Sequence, residues 1–474
     1  MRWLLGLIVV LLIALGCAYV IAGRGAPPRI AIDKPDRFVG QAATLDVTAD
    51  TPNGRFTALT VALEQNGTRI PLVDLHASDR GEIPPGAPAQ VDVRQPDRNH
   101  LRVSRPIGKQ SIPQLVSGPA RIIVTATRPS FLKLRQLTST ATKDFQVRLE
   151  PPRVAVLSTH HYVNHGGSEM VVYKAAPPDV ASGVRVGDVE YPGFAASGAG
   201  VAASDPSMKV AFFALLYDQP LNAPIVAFAR DEAGNQVKAT FADNVFEKPF
   251  KKSRIEIDDK FMNKTVPDIV EHSPELKMAP PAQDSPDMLA AFLRVNGELR
   301  KINADQIAAM AAKTSPSKLW DGPFVQLGNS QVEASFADRR TYIYKGKEVD
   351  QQTHLGFDLA VTAHVPVAAA NAGTVLNASW LGIYGNCVIV DHGMGVQSLY
   401  AHLMSFDVKA GDTVTRGQII GRSDSTGLAG GDHLHFTMLV NGRMVNPVEW
   451  WDAHWIQDRV MRKLGEAGGA RATQ

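Results

Sequence analysis

Almost all of the chain beyond residue 28 is written in short runs rich in β-branched and aromatic residues, each closed by a turn signal. Between Arg29 and Glu150 the runs are RIAI, AATLDVTA, FTALTVALEQ, ARIIVTATR and KDFQVRLE, broken by DTPNG and EQNG. Such runs each bury one face against a second sheet, so they predict a mainly β, antiparallel protein. At 474 residues the chain is too long for one core and should divide at roughly 150 residues per domain.

Composition shifts place the boundaries. Residues 28–149 read as a β-sandwich-like domain, possessing the spacing of an immunoglobulin-like fold. Residues 150–247 read as a second β-rich domain, with MVVYKA, SGVRVGDVEYPGF, MKVAFFALLY and APIVAFARDEAG, and with DEAGNQV as a hairpin turn. Residues 248–318 read as a helical linker arm. There PDMLAAFLRVNGELRK and ADQIAAMAAK have helical spacing, Ser285 and Asn303 stand at N-cap positions, and KPFKKSR is expected as a solvated linker. Residues 319–474 return to strands with Gly-rich turns and close on a helix, PVEWWDAHWIQDRVMRKL.

The N-terminal stretch WLLGLIVVLLIALGCAYVIAG, Trp3 to Gly23, carries no charge. As a helix it is roughly 30 Å long, the thickness of the hydrocarbon core, so residues 1–27 are expected as a single transmembrane anchor. Cleavage after the apolar run and lipidation at Cys17 are the competing readings. With Lys+Arg 49 against Asp+Glu 47, no basic face for nucleic acid is expected. The two cysteines, Cys17 and Cys387, provide neither a disulfide framework nor a Cys-rich zinc site.

The chemistry concentrates near the C-terminus, in GGDHLHF. On a strand, i and i+2 share a face, so His433 and His435 point to one spot. Upstream, THLGFDLA offers His354 and Asp358, and SLYAHLMSF offers His402 between the two sites. Zinc accepts neutral imidazoles and carboxylates, and a catalytic site fills three positions and keeps one for water, whose pKa it lowers. Two His and one Asp fill those three positions, and the remaining imidazoles are free to act as base and oxyanion stabiliser.

The text from Arg339 to Pro447 resembles the lysostaphin/LytM-type zinc metallopeptidases that cut peptidoglycan cross-links. It carries this likeness in RRTYIYKGKEVDQQTHLGFDLA, VPVAAANAGTV, GNCVIVDHGMGVQSLYAHL, VKAGDTVTRGQIIGRSDSTG and GGDHLHFTMLVNGRMVNP. The resemblance implies an antiparallel β domain with a groove, one zinc ion on His354, Asp358 and His435, and His402 and His433 as the catalytic pair. It also implies a peptidoglycan endopeptidase working through a metal-activated water. Asp432 stands where relatives commonly have proline, which could alter the groove wall or bring a hydrogen bond to His433.

Other candidates have plainer readings. His364 and His392 are expected as surface or structural residues, and so are His160, His161 and His165. Trp450, Trp451 and Trp455 are expected to pack the terminal helix, and Cys387 to be a buried apolar residue. The expected setting is the bacterial cytoplasmic membrane, with the catalytic domain on its outer side, peptidoglycan as substrate and protein regulators as further partners. The rival expectation is a latent domain that activates another cell-wall hydrolase, with the arm or the Trp-rich tail over the groove.

Overall fold

In the computed structural model, residues 2–51, 55–77, 90–130, 133–202, 205–242 and 244–469 are described. The chain forms two compact units: Met1–Pro152 with Arg230–Gln236, and Arg153–Ala229 with Val237–Gln474.

In the first unit, Arg2–Ala22 is a 21-residue helix, of which the side chains at 2, 4, 5 and 21 lie outside the described residues. Among the described residues no helix is long and apolar enough to cross a membrane. The apolar run is helical, as expected, but its crossing of a membrane is not shown by the fold. The rest of the unit is a sandwich, as the alternating runs predict. One sheet has four strands in the order Arg29–Lys34, Ala43–Asp50, His100–Ile107, Asp92–Asp97. The other has five, in the order Phe38–Val39, Gln136–Val147, Gly118–Pro129, Ala58–Gln65, Thr68–His76. Leu45, Val47 and Val103 of the first meet Leu59, Val61, Ile122 and Val124 of the second in one buried core. EQNG turns as expected: Gln65 pairs with Thr68, and Asn66 and Gly67 both take positive φ, the geometry a two-residue hairpin needs. DTPNG lies partly outside the described residues.

In the second unit, the β-rich segment forms two further sheets. Arg153–Val156, Ser168–Ala176, Met208–Ala214 and Phe194–Ala195 make one; Val189–Pro192, Ala181–Val186, Ile225–Arg230 and Gln236–Thr240 make the other. DEAGNQV is the expected hairpin turn, closed by the amide of Gly234 on the carbonyl of Asp231. The C-terminal segment builds a ten-stranded sheet, largely antiparallel, whose middle strands are Phe357–Ala360, His433–Val440, Val396–Phe406 and Asn386–Gly393. Its apolar face shares one core with the preceding β-rich segment: Phe212, Trp320, Phe324 and Trp450 meet there. The Trp residues thus pack as expected, Trp451 against Phe357 and Phe436. Cys387 is buried among apolar neighbours, and burial pushes its thiol pKa up. The terminal helix is clamped by Lys463, whose Nζ donates to Glu169 Oε1 at 2.8 Å with both side chains almost wholly buried.

The arm differs from the sequence expectation. The basic side chains of KPFKKSR are exposed, as expected, but the stretch is not a bare linker: Lys252–Ile257 is a strand, paired in parallel with Asp338–Tyr344. The physical reason is the alternation in RIEI, which puts Ile255 and Ile257 on one face and in contact with a core. Helix Asp259–Glu271 follows, capped by Asp258, whose Oδ1 accepts from the amide of Phe261 at 2.7 Å. Ser285 accepts from the amide of Asp287 just ahead of helix Met288–Arg294. Asn303 is not an N-cap. It lies inside helix Arg300–Met310, fully buried, and its Oδ1 accepts from the amide of Ile383 at 3.0 Å. Met262, Val266, Phe292, Val295 and Leu299 of the arm share a buried core with Leu381, Ile383, Ile389 and Leu399 of the C-terminal segment.

Two outcomes follow from this packing. A chain that begins at Leu319 leaves half of that core to water and is expected to lose the cooperative thermal transition shown by the full chain in circular dichroism. Lys463→Ala strands the Glu169 carboxylate in an apolar setting and is expected to lower stability by about 3 kcal/mol or more in urea denaturation.

Candidate metal centre

Strand register brings distant residues to one spot. Phe357–Ala360 and Val396–Phe406 flank His433–Val440, with Asp358 directly opposite His435 on one side and Ala401 opposite it on the other. His354 ends the strand Lys347–His354 and pairs with Asp338. His402 arrives by a different device. Two residues, Ala401 and His402, face the single Cys387 between the pairs Val388–Tyr400 and Asn386–Leu403. This is a β-bulge, and His402 sits in it at φ +60°, a conformation that costs a non-glycine residue about 1–2 kcal/mol. The bulge brings the His402 ring within 4.8 Å of His433 and 5.9 Å of His435, centroid to centroid.

The three expected ligands converge. His354 Nε2 lies 2.9 Å from Asp358 Oδ1 and 3.0 Å from His435 Nδ1, and His435 Nδ1 lies 3.0 Å from Asp358 Oδ1. Each offers one ligand atom to a shared position. His433 Nε2 reaches the same Asp358 oxygen at 3.5 Å, so both histidines of HLH do face one spot.

Hydrogen bonds away from the centre decide which nitrogens face it. His354 Nδ1 faces the carbonyl of Ser335 at 3.3 Å. A carbonyl only accepts, so Nδ1 carries a proton, and Nε2 is the nitrogen directed at the centre. It stands 2.9 Å from the Asp358 oxygen, a spacing at which a proton or a metal ion joins the two. Two imidazole nitrogens and a carboxylate oxygen are the donor set of a catalytic zinc site. The residues therefore fit the ion.

Electrostatics agree. Burial pushes Asp358 up, but the charge and hydrogen bond of His354, with further bonds from His433 and His435, hold its carboxyl well below the usual range. Burial lowers His435 to about 4 and holds His402 well below its ordinary value. Neutral imidazole is the form a metal requires. For His433 burial opposes protonation, yet the bond to Asp358 outweighs it and raises the pKa.

Several contributors were not singled out from the sequence. Arg340 Nη2 donates to Asp358 Oδ2 at 2.9 Å, and its Nε lies 3.6 Å from Asp338 Oδ2. A readable signal existed, since Asp338 and Arg340 are i and i+2 on one strand. Tyr384 packs its ring on His435. The carbonyl of Thr426 accepts from His402 Nδ1 at 2.7 Å. Arg340, Tyr384 and His402, with Arg300, Glu333 and the Gly430–His433 loop, line a cavity of about 390 Å³. The arm contributes Arg300 to that lining, and the described residues of the Trp-rich tail contribute nothing. Asp432 serves His364 instead of His433: its Oδ2 accepts from the His364 amide at 3.0 Å, while His433 Nδ1 turns to the carbonyl of Gly431.

His392, His161 and His165 each have a protein hydrogen-bond partner away from the centre. His392 is buried between the Ala372 carbonyl and Ser398 Oγ, and burial lowers it to about 4. His161 bonds Ser158 Oγ and His165 the carbonyl of Gln219.

Gly356 provides a check on the centre. A Cβ there would stand 2.5 Å from both Cε1 and Nε2 of His435, inside van der Waals contact. Gly356→Ala is expected to tilt the ring and weaken zinc binding at least about tenfold, read by competition with a chromogenic chelator.

Comparison with known proteins locates the family. Residues 352–447 match the model of peptidase family M23. DD-carboxypeptidase/endopeptidase Mpg of Neisseria meningitidis serogroup B is 42% identical over 95 residues, 20% of this chain and 22% of that protein. An uncharacterized metalloprotease of Haemophilus influenzae is 37% identical over 120 residues, 25% of each chain. Peptidoglycan DD-endopeptidase ShyA of Vibrio cholerae serotype O1 is 29% identical over 161 residues, 34% of each chain. The matches thus span between about a fifth and a third of these relatives' own length. All five groups described above fall inside the matched stretch, and residues 352–447 are a peptidase family M23 domain.

Proposed function

We propose that this chain is a zinc peptidase of the bacterial cell envelope that hydrolyses peptide cross-links of peptidoglycan. The observation that carries the reading is the convergence of His354, Asp358 and His435 beside two further imidazoles in one open cavity. Relatives of this domain named for peptidoglycan support the substrate class.

His354, Asp358 and His435 would hold the ion, which when bound supplies Lewis acidity and lowers the pKa of water at the site. His402 is set up as the base. Its Nδ1 proton is spent on the Thr426 carbonyl, and burial keeps the ring neutral, so Nε2 is bare to take a proton from the attacking water. His433 is set up as the proton carrier. Its Nδ1 bonds the Gly431 carbonyl, and Asp358 favours a proton on its Nε2. That proton steadies the oxyanion of the tetrahedral intermediate and can pass to the departing amine as the C–N bond breaks. Arg340 holds the far oxygen of Asp358 and so directs the near one to the centre.

The setting belongs to the same proposal. The helix Arg2–Ala22 has no charge beyond Arg2, which supports an anchor in the cytoplasmic membrane. The peptidase would stand on the outer side, where its substrate lies.

The test uses the zinc-loaded full chain and intact cross-linked peptidoglycan, with products identified by mass spectrometry. Cross-linked dimers are expected to fall and monomers to rise, an effect abolished by a chelator and by His435→Ala. His402→Ala is expected to keep its zinc while losing about a hundredfold or more in rate. Absence of product from the zinc-loaded chain would defeat the reading.

A further inference from the structure

Two guanidinium groups line the catalytic cavity, and they are used differently. Arg340 is committed to Asp358 and Asp338. Arg300 has no such commitment: among the described residues no carboxylate lies within ion-pair distance of it. Its Nε and Nη2 donate to a single residue, to the carbonyl of Asn296 at 3.1 Å and to Asn296 Oδ1 at 2.8 Å.

That residue is a fixed support. Asn296 is fully buried, and its Nδ2 donates to Asp350 Oδ2 at 2.7 Å. Asn296 lies in the π-helical turn Val295–Leu299, immediately ahead of Arg300. Such turns are uncommon and gather at functional sites. One edge of the guanidinium is therefore held by the arm. The half-buried cation is presented in the same cavity as His402, His433 and the proposed ligands.

We propose that Arg300 is the receptor for a carboxylate of the substrate peptide close to the bond that is cut. The proposal rests on the peptidase reading above and adds to it a specificity residue supplied by the arm. The planar fork of a guanidinium suits a carboxylate, and a cation without a carboxylate partner among the described residues, in a partly enclosed cavity, is where such a group gains most. Arg300 would act on binding; the proton transfers stay with His402 and His433.

The experiment titrates the zinc-loaded full chain with uncross-linked peptidoglycan peptides carrying free carboxylates, and with the same peptides amidated. Native protein, Arg300→Gln and Arg300→Lys are compared, and cleavage of cross-linked peptidoglycan by each is measured alongside. Amidation is expected to weaken binding to native protein about tenfold or more. Arg300→Gln is expected to lose the same factor on the free acid and to show no further loss on the amide. Arg300→Lys is expected to recover part of the discrimination, which a purely structural role would not produce. Cleavage by native protein with equal binding of acid and amide would overturn the role of Arg300 alone. An equal loss on both peptides in Arg300→Gln would overturn it too. Absence of both cleavage and binding in native protein would overturn the peptidase reading, and this proposal with it.

Discussion

The structure turns on the contact of His354 Nε2 with Asp358 Oδ1 at 2.9 Å. A carboxylate and an imidazole buried this close are stable only when a proton or a metal ion joins them. The surrounding architecture serves that contact. Pairing of Asp358 with His435 places the third nitrogen, and the Ser335 carbonyl sets the His354 tautomer. Arg340 ties down the distal oxygen of Asp358. Gly356 leaves room for a ring that a methyl group would displace. Each of these acts on orientation, and orientation is what a three-ligand centre demands.

A second dependence links the arm to the catalytic sheet. Asn303, buried in the helix Arg300–Met310, holds the amide of Ile383. The adjoining turn, Gly382–Tyr384, carries the ring that packs on His435. From the next residues, the amide of Asn386 donates to Thr426 Oγ1, and the carbonyl of Thr426 fixes His402. Packing along this path is continuous, so the arm is part of the catalytic unit and not a tether to it.

Legibility from sequence varied with the range of the interaction. The β-rich runs, the EQNG turn and the DEAGNQV turn depend on neighbours within a few residues, and the structure forms them where the pattern predicts. The HLH pair was equally legible, because strand periodicity alone puts two side chains on one face. The arm was misread where a local and a distant signal competed. Charge in KKSR suggests a solvated linker, but the alternating isoleucines of the same stretch find a parallel partner at Asp338–Tyr344. Asn303 looked like a cap because asparagine favours that position; its amide is instead spent on a backbone group eighty residues away in the chain.

By itself the sequence determined the mainly β character, the helical arm, the packing role of Trp450 and Trp451, and the five groups that gather at one site. The first three rest on composition and short periodicity, and the five groups on their motifs and the family those motifs resemble. Only the tertiary structure decided how the groups present themselves. The bulge at His402, the orientation of the His354 ring, the commitment of Arg340 and the openness of Arg300 all arise from pairings between distant strands and helices. Such pairings set side-chain direction and proton position, and neither is written in the spacing of residues along the chain.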